Sequence, residues 1–96
     1  MAVIFHIPGA LRVYTDGKRQ VEIGAAHRTL REALRALWLR YPGLRDRLTT
    51  EQGEVREHIN IFVGNEDVRY LDGLATPVPD DTEITIVPAI SGGASP

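Results

Sequence analysis

Few side chains in this 96-residue chain have the type and spacing that chemistry demands. It contains no cysteine, which removes disulfides, thiolate metal sites, a cysteine nucleophile and sulfur carried on a cysteine side chain. His6, His27 and His58 fall in three different predicted elements, and no spacing among them fits a zinc site, so each reads as a surface or hydrogen-bonded histidine. Ser91 and Ser95 are the only serines, and neither has a base or oxyanion donors held beside it, which argues against a hydrolase. Asp80 and Asp81 are adjacent carboxylates of the kind that can move protons or hold a metal. Beside Pro79 and ahead of a strand, they read as turn residues. The glycines form no phosphate-cradling loop that leads into a helix. No catalytic residue and no metal ligand is therefore expected, and the chain is expected to catalyse nothing alone. What remains is Gly92 and Gly93. Two residues without a Cβ can thread a channel too narrow for side chains, and a glycine carboxylate is open to attack at its carbon. On composition alone a frayed Gly/Ser terminus is the simpler reading, with a functional arm as its rival.

Such an arm needs a body to carry it, and the pattern predicts one. Ala2 to Ile7 alternates, with Val3, Phe5 and Ile7 on one strand face and Ile4 and His6 on the other. Pro8 and Gly9 break the run, and Leu11, Val13 and Tyr14 suggest an irregular edge. Asp16-Gly17 is a turn signal, after which Val21 and Ile23 alternate with Gln20 and Glu22 to complete a hairpin. Thr29 and Glu32 have capping-box spacing. Leu30, Ala33, Leu34, Leu37, Trp38 and Tyr41 follow on one helical stripe, with Arg31, Arg35 and Arg40 largely off it. Pro42 and Gly43 end the helix. Leu44 and Leu48 suggest a further short turn, and residues 49–57 a loop. His58 to Val63 alternates as a strand with Ile59, Ile61 and Val63 on one face. Val68, Tyr70 and Leu71 suggest a short strand. Leu74 and Val78 anchor a connection rich in Gly, Pro and Asp, and Ile84, Ile86 and Val87 form the last strand. The fold class expected is α+β: a mixed sheet of four to five strands on one main helix, in which both end strands can lie centrally and side by side. Residues 1–90 form the domain and 91–96 a tail with little to bury.

Composition agrees. Hydrophobic residues make up 43% and charged residues 25%, the balance of one globular domain rather than a disordered chain. The apolar runs are too short for a membrane span, and the first ten residues lack a basic stretch before their apolar run, so cytoplasmic localisation is expected. The net charge of −2 hides an asymmetry. Residues 1–47 hold nine Lys/Arg against four acids, while residues 48–96 hold two against nine. That can steer a charged partner or simply coat a solvated helix face. No aromatic-rich or Gly-rich RNA-binding pattern accompanies the basic half, so neither nucleic acid nor membrane is an expected partner.

From Ile59 to Gly93 the chain reads INIFVGNEDVRYLDGLATPVPDDTEITIVPAISGG. This stretch resembles the ThiS/MoaD family of ubiquitin-like, β-grasp sulfur carriers. The likeness lies in an ordered set: Asn60 to Asp67, Gly73-Leu74, Asp80-Asp81, Thr85 to Ala89 and Gly92-Gly93. The opening IPGALR, Ile7 to Arg12, and the helix from Thr29 add to it. The resemblance implies a ubiquitin-like β-grasp fold. It also implies a mechanism in which an E1-like adenylyltransferase activates the Gly93 carboxylate with ATP, a sulfur donor converts it to a thiocarboxylate, and an acceptor enzyme takes the sulfur. Gly92 and Gly93 would thread the partners' sites, and Ile61, Phe62, Leu74, Val87, Pro88 and Ile90 would dock the body. No cofactor would be bound by this chain; ATP, zinc and pyridoxal phosphate would belong to partner enzymes.

Ala94, Ser95 and Pro96 follow Gly93, so its carbonyl stands in an amide rather than a free carboxylate. The resemblance implies a precursor trimmed after Gly-Gly by a zinc metallopeptidase of the JAB1/MPN type; an appended non-native tail is the competing explanation. The NEDVR stretch, the Gly-Leu segment and the extension resemble carriers for cysteine biosynthesis, whose acceptor is a pyridoxal-phosphate-dependent, cysteine synthase-like enzyme. The alternatives are the small subunit of molybdopterin synthase, paired with that enzyme's large subunit; a carrier for thiamine or tRNA thiolation; and a ubiquitin-like tag joined to lysines.

Overall fold

The structure is a computed structural model, and it describes residues 2–24 and 28–88. Five strands form one mixed sheet: β1 (Ala2–His6), β2 (Gln20–Gly24), β3 (Ile59–Val63), β4 (Glu66–Asp67) and β5 (Glu83–Pro88), in the order β2-β1-β5-β3-β4. β1 and β5 are parallel neighbours, and every other pairing is antiparallel. The first and last strands therefore lie together inside the sheet, as the sequence allows. The arrangement is the expected ubiquitin-like β-grasp, with all five strands present.

Alternation sends one set of side chains from each strand to the same side. Val3 and Phe5, Val21 and Ile23, Ile59, Ile61 and Val63, and Ile84 and Ile86 are all buried there. Helix α1 (Leu30–Arg40) covers them with Leu30, Ala33, Leu34 and Leu37, while Trp38 and Tyr41 reach the core only in part. The Thr29 hydroxyl accepts the Glu32 N–H at 3.3 Å, the N-cap that the sequence predicts. The Glu32 carboxylate accepts the Arg28 N–H at 2.8 Å, one residue before the reciprocal bond expected of a capping box. Backbone bonds Leu30 N–H to Thr76 O and Val78 N–H to Arg28 O hold the chain extended on its way into the helix. A 3-10 turn (Pro42–Leu44) and a short helix, α2 (Arg45–Leu48), follow, burying Leu44 and Leu48 respectively. Gly43 lies where a Cβ would stand 3.0 Å from the Tyr14 ring, so a larger residue there would have to push the ring aside.

Two predicted segments take another form. The β1–β2 connection is a 3-10 helix over Gly9–Thr15 rather than an irregular edge. Leu11 and Thr15 turn inward, the Thr15 hydroxyl donates to the carbonyls of Arg12 and Lys18, and the Arg12 Nε donates to Ile7 O at 3.0 Å. Asp16 and Gly17, both at positive φ, then reverse the chain. The second change follows β4. Val68–Tyr70 is a 3-10 turn rather than a strand, because the Asp67 carboxylate accepts the Arg69 N–H at 2.9 Å and curls the chain at once. The Arg69 Nη2 then donates to the carbonyls of Arg56, Glu57 and Ile59, clamping the approach to β3.

Leu37 and Leu39 separate the buried flank of α1 from its exposed one, at 0% and 87% exposure. Leu37→Ala is expected to cost about 2–5 kcal/mol of unfolding free energy, against about 0.5 kcal/mol or less for Leu39→Ala, as measured by urea denaturation.

Candidate functional site

The histidines and acids behave as structural groups. His6 meets Glu83 at 2.6 Å through Nε2, with Gln20 at 3.5 Å from its Nδ1, and His58 is exposed. Asp81 occupies a left-handed turn at φ 62° and accepts the Ala2 N–H at 3.2 Å. The chain's amino terminus, then this amide, hold its carboxyl below the usual carboxylate range. The pair Asp80-Asp81 therefore leads the chain into β5, the turn role expected of it. No group of three or more His, Asp or Glu among the described residues could hold a metal ion, and no helix among them is long and apolar enough to cross a membrane. His27, Ser91 and Ser95 lie outside the described residues, as do Ile90, Gly92 and Gly93.

The fold does set where the described chain ends. Pairing between β1 and β5 ends at His6 and Thr85, and beyond it Ile86, Val87 and Pro88 continue along β3 to Pro88 opposite Ile59. The chain thus leaves toward residue 89 from a central strand, with the last described residues hydrogen-bonded along one flank.

The described docking residues separate into four environments. Phe62 and Val87 point to the side of the sheet away from α1. Phe62 is half-buried opposite Thr85, and Val87 is 39% exposed opposite Asn60. Ile4 stands on the same face, and the His6–Glu83 pair lies at its polar side. Ile61 does not belong there. It is 1% exposed and faces α1, because adjacent residues of a strand point to opposite sides, so its expected docking role is corrected to a core role. Pro88 is half-buried at the end of β5. Leu74 is on the opposite side of the molecule from Phe62, in a short 3-10 turn (Gly73–Ala75) packed against α1.

The basic half of the chain is not a uniform face. Arg12 is tied to Ile7 O and Arg40 to Glu22 O, and Arg47 stacks over Tyr14 with 5.2 Å to the ring centroid. Arg31, Arg35 and Arg45 instead line a furrow between α1 and residues 49–53 together with Trp38 and Leu74. Neither this furrow nor the Arg69 clamp was legible in the sequence. Both join segments ten or more residues apart, and no local spacing announces such a contact.

Comparison with known proteins places these features in a family. The model of the ThiS family matches residues 5–93. The sulfur carrier protein CysO of Mycobacterium tuberculosis is 38% identical over 95 residues, covering 97% of this chain and all of that protein. Small archaeal modifier protein 3 of Haloferax volcanii is 38% identical over 65 residues, or 68% of this chain and 70% of the relative. Among solved structures, a chain of the Amycolatopsis orientalis BexX/CysO complex superposes with a TM-score of 0.87 at 38% identity, covering 96% of this chain and 100% of that one.

Ile61 and Phe62 test the separation of faces directly. Ile61→Ala is expected to cost about 2–5 kcal/mol, whereas Phe62→Ala leaves the core closed and should cost about 1.5 kcal/mol or less, both read from the midpoint of denaturant unfolding.

Proposed function

Because the chain belongs to the ThiS family, we propose that it is a sulfur carrier of the CysO type, serving cysteine biosynthesis through a thiocarboxylate at Gly93. The observation that carries this reading is the 38% identity to a sulfur carrier protein across essentially the full length of both chains. The absence of cysteine agrees with it, since sulfur would ride on the terminal carbonyl carbon instead of a side chain.

The chemistry would run in three steps, each performed by a partner. Hydrolysis of the Gly93–Ala94 amide by a zinc metallopeptidase frees the Gly93 carboxylate. An adenylating enzyme lets that carboxylate attack the α-phosphorus of ATP, giving an acyl-adenylate and pyrophosphate. A sulfur nucleophile from a donor then adds to the acyl carbon and expels AMP, leaving the thiocarboxylate for the acceptor. Throughout, the body's task is recognition. Phe62 and Val87, on the open face of the sheet, are the docking residues this reading retains, together with Pro88 at the end of β5 and, from the sequence, Ile90. The zinc, the ATP and the acceptor's pyridoxal phosphate all belong to those partners.

A second reading draws support from the likeness to small archaeal modifier protein 3. A protein modifier would need the same activated Gly93 but would end on a lysine amine instead of sulfur.

Intact mass after sequential incubation with the metallopeptidase, then with ATP, the adenylating enzyme and a sulfide donor, tests both. The expected course is loss of residues 94–96 followed by exchange of one oxygen for sulfur, with Gly93→Val blocking the exchange. An unchanged mass with enzymes that load a control carrier would sink the proposal. Covalent ladders in place of the exchange would select the modifier reading.

A further inference from the structure

We propose that the furrow on the helix side of the molecule docks an extended acidic segment of a partner protein, independently of the sheet's open face. Two adjoining hollows form it, about 250 and 320 Å³ in volume, and they share Arg31 and Leu74. Arg31, Arg35 and Trp38 of α1 line one wall of the first hollow, Arg45 lies across from them, and Leu34 contributes to its buried base. The second hollow continues the furrow past Val55 and Leu74, both only partly buried.

The charges show what the occupant must carry. Arg31 and Arg35 are four residues apart on one helix, so their guanidinium groups repel and weaken α1 rather than support it. Among the described residues, neither has an ion pair or hydrogen bond at its side chain. Arg45 has only a 4.0 Å approach to its neighbour Asp46. Glu51 and Glu54 stand at the furrow without pairing to any of the three. Arg69, which borders the second hollow, already donates to three carbonyls. The first hollow thus holds three guanidiniums against one carboxylate, around an aromatic ring. Carboxylates of an incoming chain would neutralise Arg31, Arg35 and Arg45, and an apolar side chain would settle against Val55 and Leu74. The three guanidiniums share one hollow and the partly buried Val55 and Leu74 line its continuation, which fits a peptide carrying carboxylates beside an apolar side chain better than a single phosphate.

Trp38 is the only tryptophan, so its fluorescence reports on the furrow without a label. The test titrates the full chain with a synthetic peptide of alternating glutamates around one leucine. The same peptide with glutamine for glutamate, inorganic phosphate and single-stranded RNA are titrated in parallel. Saturable change in Trp38 emission with the acidic peptide alone is expected, weakening as salt is raised. The double variant R31E/R35E should lower affinity about tenfold or more, and Arg45→Glu by a smaller factor in the same direction, with circular dichroism confirming that both remain folded. Lys18→Glu, a charge reversal outside the furrow, should bind as the parent does. No saturable response, equal binding by the folded charge-reversed variants, or a matching response to phosphate or RNA would overturn the proposal. No sulfur-transfer enzyme takes part, so failure here and failure of the carrier reading are separate results.

Discussion

The pairing of β1 with β5 is the contact on which the rest of the structure depends. It places Phe5 beside Ile84 in parallel register, and both side chains have no solvent exposure. Residues near the two ends of the chain meet there, so the sheet cannot be completed until β5 has formed. A parallel pair also cannot be joined by a tight turn, and the intervening chain must cross over the sheet. In this molecule the crossing includes α1, whose Leu30, Leu34 and Leu37 close the apolar face that the strands present. The core, the helix position and the strand order are thus consequences of one register.

The same pairing fixes what a partner can touch. β5 lies between two strands as far as Thr85, and its last residues, Ile86 to Pro88, are held by β3 alone. Strand alternation then decides which of its neighbours are accessible. Ile86 and Val87 are consecutive, yet one is 2% exposed and the other 39%; Ile61 and Phe62 divide in the same way. A one-residue error in assigning faces would exchange core for surface along a whole strand. That is why the inclusion of Ile61 among docking residues fails on geometry while Phe62 beside it stands on the open face.

Much of this was legible before any coordinates. The alternation at 2–7, 20–23, 58–63 and 83–87 marks four of the five strands, and Thr29 with Glu32 marks where α1 begins, because these signals are local. The signals that failed were local ones that longer-range contacts override. Val68, Tyr70 and Leu71 look like a strand by composition, but the Asp67 carboxylate bends the chain and Val68 turns into the core at 3% exposure. Leu11, Val13 and Tyr14 look irregular because they obey neither strand nor α-helical period; the 3-10 turn they form buries Leu11 while leaving Val13 77% exposed. The family was legible as a likeness in the order of motifs through Gly93. The furrow was not, since its walls come from α1, residues 45–53 and Leu74, which meet only after folding.

Charge patterning carries the argument one step further than the sequence count allowed. The chain has ten arginines and a single lysine, Lys18. A guanidinium fork can hold several backbone carbonyls at once, and Arg69 does so at the approach to β3; an ammonium on a flexible stem would fix that segment less well. Arg12, Arg40 and Arg56 are likewise bound to main-chain oxygens and act as internal fastenings. The apparent basic face is therefore smaller than residues 1–47 suggest. Arg31, Arg35 and Arg45, none of them fastened to the main chain through its side chain, gather around one tryptophan on the side of the molecule opposite Phe62 and Val87. An asymmetry that reads as diffuse in one dimension becomes, in three, a localised positive furrow, and a localised charge can discriminate between partners where a diffuse one can only attract them.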